Sequence, residues 1–217
     1  MSVESTAPSL PDGAPPKRAV VFIDGQNLFH AVKKVFGARY PNYHVNRLAE
    51  SVCNRYGWRL DQIRFYTGVH RPDKNPYWHG FWERKLLSMS RAGVNVFKRH
   101  LLYQTEERIL SDGTRYQFEY SKEKGVDVRI ALDLIRLCYD AAFDVALIFS
   151  QDQDLSEAVE DVISLGRQQS RTVTVASAFP WDERFADRHG IRKTTNIRIR
   201  RDEYQGCIDQ HDYRPSA

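Results

Sequence analysis

Cysteine is scarce in this chain and unpaired in spacing: Cys53, Cys138 and Cys207 are three in number, far apart, with no CxxC. That argues against a disulfide framework and a cysteine zinc site, and it predicts a reducing, cytoplasmic setting. Long hydrophobic runs are missing as well. The longest, Ala19 to Ile23 and Val145 to Phe149, are five residues each, whereas a transmembrane helix needs roughly 20. A soluble chain with no membrane partner is therefore expected. A large charge of either sign is also absent. The 32 Lys and Arg residues face 28 Asp and Glu, a net +4, too small a sum to identify a nucleic-acid binder by itself. Proline is thin beyond the first 18 residues, which hold four of the nine. That opening stretch has no apolar run and reads as a disordered leader, not a signal peptide or a helix.

What remains is enough for one domain with a real core, about 200 residues. Hydrophobic residues at 41% and charged ones at 28% are globular values. The expected division is a leader over 1–18, a single domain over 19–205 and a flexible C-terminal tail over 206–217. Within the domain, apolar runs alternate with helix-period segments. Ala19 to Ile23 is a buried strand ended by Asp24-Gly25. Helices are predicted from about Asn27 and Val45, and a strand over Gln62 to Val69. Asn75-Pro76 then starts a helix by capping and first-turn proline, which Gly93 stops. A strand from Val94 leads into an excursion over His100 to Tyr120, whose Ser111-Asp112-Gly113 turn suggests an inserted β-hairpin. A helix over Val126 to Tyr139, a strand over Val145 to Phe149, a helix from Leu155 and a strand from Thr172 complete an α/β pattern with a mostly parallel sheet.

In such a sheet, ligands bind beyond the carboxyl ends of the strands, where strand order reverses. Asp24 ends the first strand, Ser150-Gln-Asp152-Gln-Asp154 follows the strand at Val145, and Lys124-Gly-Val-Asp127 opens the helix that feeds it. Three distant segments would thus bring carboxylates to one rim. Two carboxylates about 5 Å apart repel by roughly 3 kcal/mol at an effective dielectric near 20, so the group must take up protons or a cation. An all-oxygen set suits Mg²⁺ or Mn²⁺, and phosphoester hydrolysis is the natural chemistry. Three of these acids also have a structural reading. Asp24-Gly25 can be a plain turn. Asp154-Leu-Ser-Glu157 is a capping-box pattern. Asp127 suits the first turn of a helix. Asp152 has no comparable structural duty. Asp133 shares a polar helix face with Arg129, Arg136 and Asp140 at ion-pair spacing, and reads as solvated.

FIDGQN at Phe22 to Asn27, KGVD at Lys124 to Asp127 and SQDQDL at Ser150 to Leu155 resemble the NYN domain, a family of PIN-like nucleases that includes the LabA-like bacterial group. The resemblance spans Ala19 to Ala176. It implies a PIN-like Rossmannoid three-layer sandwich with an acidic divalent-metal site and endoribonuclease activity. It makes Asp24, Asp127 and Asp152 metal-binding acids and adds Asp154 to the catalytic set, with Asn27 and Ser150 supporting the site. It also gives Asp133, on the helix after KGVD, some claim to the site. Gln151 stands where the family commonly has glycine, and Leu155 where it has an aromatic. If that glycine needs positive φ, glutamine is strained there.

Arg188 to Arg201 carries six Lys and Arg residues and no acid. As a strand it would turn Ile197 and Ile199 inward and Asn196, Arg198 and Arg200 outward, a row that can follow phosphates or simply protect an edge. Arg192, Lys193, Arg198, Arg200 and Lys124 are candidate RNA contacts, with Arg71 a further phosphate contact by position and Tyr77 a base-stacking candidate. Trp78, Trp82, Leu86 and Met89 read as core. The expectation is a Mg²⁺- or Mn²⁺-dependent endoribonuclease leaving 5′-phosphates. A non-catalytic RNA-binding or regulatory module and a structure-specific DNA nuclease are the alternatives. A homo-oligomer is compatible with all three.

Overall fold

The computed structural model describes residues 15–214. The expected leader lies outside them up to residue 14, and strand β1 (Arg18–Asp24) begins at the leader's last residue. The order continues α1 (Gly25–Phe36), α2 (Val45–Arg55), β2 (Arg59–Val69), α3 (Pro76–Arg91), β3 (Asn95–His100), β4 (Leu102–Ile109), β5 (Arg115–Lys122) and α4 (Val126–Tyr139). It closes with β6 (Val145–Phe149), α5 (Ser156–Gln168), β7 (Thr174–Pro180), β8 (Thr195–Ile199) and α6 (Arg201–Gly206). Six strands form one sheet in the order β3-β2-β1-β6-β7-β8, and every pairing in it is parallel. Strand order reverses between β1 and β6, which makes their carboxyl ends the switch point of a doubly wound sheet.

The run Ala19 to Ile23 has no polar alternation because both faces of β1 are covered. Ala19, Val21 and Ile23 face a core built with α1, α2 and α3, through Leu28, Leu48, Val52, Trp82 and Leu86. Val20 and Phe22 face a second core under α4 and α5, with Ile130, Leu134, Val159 and Val162. The result is the expected three-layer sandwich. Phe22 is fully buried against Phe143, so truncation to Ala would cost about 3–5 kcal/mol. The α3 start follows its sequence signal: Asn75 Oδ1 accepts from Trp78 N at 3.1 Å, with Pro76 at the first helical position.

The excursion after β3 is a hairpin. β4 and β5 pair antiparallel from Leu102↔Lys122 to Ile109↔Arg115, apart from the main sheet. Its turn places Gly113 at φ +84°, a conformation that needs no Cβ. At the far edge, Ile197 and Ile199 of β8 are buried as expected, but the outward basic row ends at Arg198 because Arg200 leaves the strand and starts α6.

Two expectations fail. The stretch from Gly206, read as a flexible tail, packs against the body as far as Arg214. His44 N donates to Cys207 O, Lys85 Nζ lies 3.0 Å from Asp209 Oδ2, and Tyr213 is 6% exposed with its hydroxyl donating to Ser88 Oγ. Buried Lys85 and the apolar faces of Tyr204 and Tyr213 supply the anchorage that the short, polar segment seemed to lack. Asp133 is not on a solvated face either. It does pair with Arg129 at 2.8 Å, yet it is 3% exposed and also accepts from Tyr66 OH and Arg64 Nη2, each at 2.8 Å. Two partners come from β2, a contact between elements that helical spacing cannot reveal.

Candidate active site

The switch point is occupied by side chains from the ends of both central strands. Asp24, the last residue of β1, is 5% exposed; its Oδ1 accepts from Asn27 N at 3.0 Å and thereby caps α1. Its Oδ2 lies 3.4 Å from Ser150 Oγ, just past β6. Ser150 Oγ in turn accepts from Asp152 N at 3.1 Å, and Asn27 Oδ1 accepts from Gln151 N at 3.1 Å. Ser177 Oγ, on β7, donates to Ser150 O at 2.6 Å. Asn27 and Ser150 therefore tie the loop after β6 to the start of α1.

These residues open onto a cleft of about 640 Å³ lined by Asp24, Asn27, His70, Trp78, Trp82, Glu123 and Asp152, among others. Glu123 escaped the sequence reading. It follows the last residue of the hairpin's return strand, and its Oε2 accepts from Gly68 N at 2.5 Å. A Cβ on Gly68 would sit 2.7 Å from that carboxylate and 2.4 Å from the Leu101 side chain, so any larger residue would push both side chains aside. The missed signal is that β2 ends beside β1 on the same rim and brings Gly68 and His70 with it. His70 Nδ1 shares a 2.6 Å hydrogen bond with Tyr103 OH.

The acids distort one another. Burial, opposed by the Asn27 hydrogen bond and reinforced by the charge of Asp152, pushes Asp24 up to about 6. Burial and the charges of Asp24 and Asp127 push Glu123 up to about 7. Burial lowers His70. Among the described residues, no Lys or Arg forms an ion pair with Asp24, Glu123, Asp127, Asp152 or Asp154. A cluster of carboxylates left without a cation is costly. Its donors are all oxygens, the type preferred by Mg²⁺ or Mn²⁺. No three His, Cys, Asp or Glu side chains among the described residues form a ready-made cage. Any divalent ion held here would draw on one or two carboxylates and complete its shell with water.

The remaining candidates are scattered. Asp127 stands in the first turn of α4, outside the cleft lining, where its charge acts on Glu123. Asp154 is exposed and also outside it. The capping duty expected of Asp154 belongs to Asp152, whose Oδ1 accepts from Asp154 N at 3.0 Å; Leu155 precedes α5 without a side-chain cap. The chain makes a 3₁₀ turn before α5, which moves the cap two residues upstream. Gln151 is not at positive φ. Its amide donates to His189 O and accepts from Arg188 Nη2, so the glutamine is held without backbone strain.

Of the basic candidates, Lys193 pairs with Glu160 at 2.9 Å, and Arg198 lies over the Trp181 ring at 4.6 Å. Arg192 uses its backbone N to reach Gln153 Oε1. Arg71 pairs with Asp73, while Lys124 is exposed beside Glu123. Trp82, Leu86 and Met89 are core as expected. Trp78 is partly buried, Tyr77 is 39% exposed, and Trp78 and Trp82 also form one wall of the cleft.

The NYN domain family profile matches residues 18–188. The low amplitude and bright protein LabA of Synechococcus elongatus is 29% identical over 166 residues, covering 75% of this chain and 74% of LabA. Among solved structures, a Vibrio parahaemolyticus protein of unknown function is similar with a TM-score of 0.49 and 17% identity, over 90% of this chain and 99% of that one. No helix among the described residues is long and apolar enough to cross a membrane.

Proposed function

This chain belongs to the NYN domain family, within the PIN-like nuclease superfamily, and on that premise we propose that it is a divalent-metal-dependent endoribonuclease. The observation that carries the reading is the convergence of Asp24, Asp152 and Glu123 on one cleft at the switch point, with no cationic partner among the described residues. In this reading Asp24 and Asp152 hold the ion, Glu123 joins them from the hairpin side, and Asp127 and Asp154 contribute charge from the margin. A bound Mg²⁺ or Mn²⁺ would neutralise charge developing at phosphorus and supply an activated water.

The chain's own residues do the rest. Ser150 and Asn27 fix the loop that bears Asp152, so its carboxylate stays aligned with that of Asp24. Their hydrogen bonds hold the acids in place before substrate arrives, which is worth more in a half-buried cleft than in water. His70, oriented by Tyr103, also lines the cleft and in this reading contacts a phosphate oxygen or the leaving group.

The lack of a preformed three-ligand cage among the described residues favours one other reading, a regulatory RNA-binding module that keeps the acidic rim without cleaving. A single assay separates them. Labelled single-stranded RNA is incubated with the protein in Mn²⁺ or EDTA, beside Asp152→Asn. The nuclease reading expects Mn²⁺-dependent cleavage that the variant loses. Cleavage indifferent to both EDTA and the variant refutes it, and binding without cleavage selects the module.

A further inference from the structure

The β4–β5 hairpin carries an aromatic surface that the acids of the cleft do not account for. Its two faces differ in what they touch. One leans on the body: Tyr103 meets His70, and Lys74 Nζ lies 2.5 Å from Glu119 Oε1 and 5.5 Å from the centre of the Tyr103 ring. Because residues alternate along a strand, the opposite face presents Tyr116, Phe118 and Tyr120 from β5. Directly across on β4 stand Arg108, Glu106 and Gln104. The hydrogen bonds and ring contacts of this face stay within the hairpin among the described residues.

The three rings form a row. Neighbouring centres are 6.1 Å apart in both pairs, and Tyr116 and Phe118 are within 11° of parallel. That spacing follows the two-residue repeat of a strand, roughly 6.6 Å. Arg108 places its guanidinium over the Phe118 ring at 4.7 Å. Tyr116 is 57% exposed although a lone hairpin has little apolar burial to spare. The row also leads somewhere: β5 continues through Ser121 and Lys122 to Glu123, all three on the cleft wall, and exposed Lys124 follows.

We propose that this face is a stacking platform for the unpaired bases of single-stranded RNA, which it guides along β5 into the acid cleft. The inference rests on the nuclease reading of that cleft and specifies the form of its substrate. Every base has a flat face that an aromatic ring can accept whatever the sequence, and arginine over a ring adds to the same surface. Lys122 and Lys124 lie on the route to the cleft, where phosphates need positive charge. On this face the Tyr120 hydroxyl donates to Gln104 Oε1 at 3.0 Å, and the acid Glu106 nearby raises its pKa. Duplex RNA keeps its bases stacked on each other and has no use for such a platform.

The test measures binding of fluorescently labelled RNAs of about 6 and about 20 nucleotides, single-stranded and duplex, by anisotropy. It is run in EDTA, and again in Mn²⁺ on the Asp152→Asn background so that strands stay intact. Tyr116→Leu keeps apolar bulk and strand propensity without an aromatic face, and Tyr116→Trp keeps the face. For the longer single strand, Tyr116→Leu is expected to bind about 10-fold more weakly and Tyr116→Leu with Phe118→Leu about 100-fold. Tyr116→Trp is expected to match the parent, and duplex binding to be unmoved throughout.

Equal weakening by Leu and Trp overturns the platform, as does an unchanged affinity in the double variant or no RNA binding by the parent. A change from dimer to monomer in the double variant, with RNA binding intact, overturns it in favour of a second copy of this chain. Mn²⁺-dependent cleavage is read on the unmutated protein in parallel. Ring-dependent binding without cleavage removes the nuclease reading and keeps the platform. Cleavage with ring-independent binding removes the platform alone.

Discussion

Replacing Asp24 by Asn is expected to make the metal-free protein more stable while removing its response to metal. Asp24 ionises near 6 in the fold against an ordinary 3.8, because it is buried beside Asp152. Between those values the native state holds a proton that the unfolded chain has lost, so stability falls as pH rises. By pH 8 the whole penalty is in place. The gap corresponds to about 3 kcal/mol. Asparagine removes the charge but keeps an oxygen for Asn27 N, and it caps a helix as well as aspartate does. In EDTA at pH 8 the urea midpoint should therefore rise by about 1 M, taking about 3 kcal/mol per M for the denaturant slope. Near pH 4.5, where Asp24 is protonated in the fold but largely ionised in the unfolded chain, the gain should shrink to about 1 kcal/mol, roughly a third of that. Adding Mn²⁺ should raise the midpoint of the parent protein and leave that of Asp24→Asn unchanged. The reasoning is refuted if the variant is less stable at pH 8, or if its gain is the same at both pH values.

Three further outcomes can be checked on the same preparations. Asp133→Asn should destabilise the protein by about 3 kcal/mol, because it strands Arg64 and Arg129 on a buried amide; chemical denaturation reads the loss, and cleavage per folded molecule should not change. Gln151→Gly, which restores the commoner family residue, should cost about 1 kcal/mol through added chain freedom and lost contacts to His189 and Arg188. Its Mn²⁺-dependent cleavage should fall, and a rise would show that Gln151 hinders the site. Lys85→Met leaves Asp209 without its partner and should cost about 3 kcal/mol. Limited proteolysis should then cut between 207 and 214 at protease levels that leave the parent intact.

The layers of this fold were legible because the strands are buried on both sides. Unbroken runs such as Val145 to Phe149 admit few other readings, and β6 and α4 lie where periodicity places them. The positions of Asp24, Asn27, Ser150 and Asp152 on the rim were legible for a related reason, since each lies at or just beyond the end of a strand that could be read. Glu123 was not, because its place depends on Gly68 from another strand and on the fold-back of the hairpin. The burial of Asp133 and the packing of residues 207–214 were hidden in the same way. Their partners, Tyr66 and Lys85, are 67 and 124 positions away, and local pattern carries no record of such distances. The capping of the turn after β6 by Asp152 was misread by two positions because one 3₁₀ turn precedes α5.

The central place of β1 also has a bearing on when the acids first meet during synthesis. β1 pairs with β6 on one side, and Asp24 and Ser150 are 126 positions apart. At ribosomal speeds of about 5–20 residues per second, roughly 6 to 25 s separate the emergence of the two halves. Until β6 arrives, a flank of β1 stays unpaired and the hairpin that delivers Glu123 has no second wall to face. On the proposed function, a nascent chain would therefore be inert on its own message until most of the domain has been made. It is also exposed to strand-edge aggregation over the same interval, so the topology that delays assembly of the acid cleft is the one that asks most of the cell's chaperones.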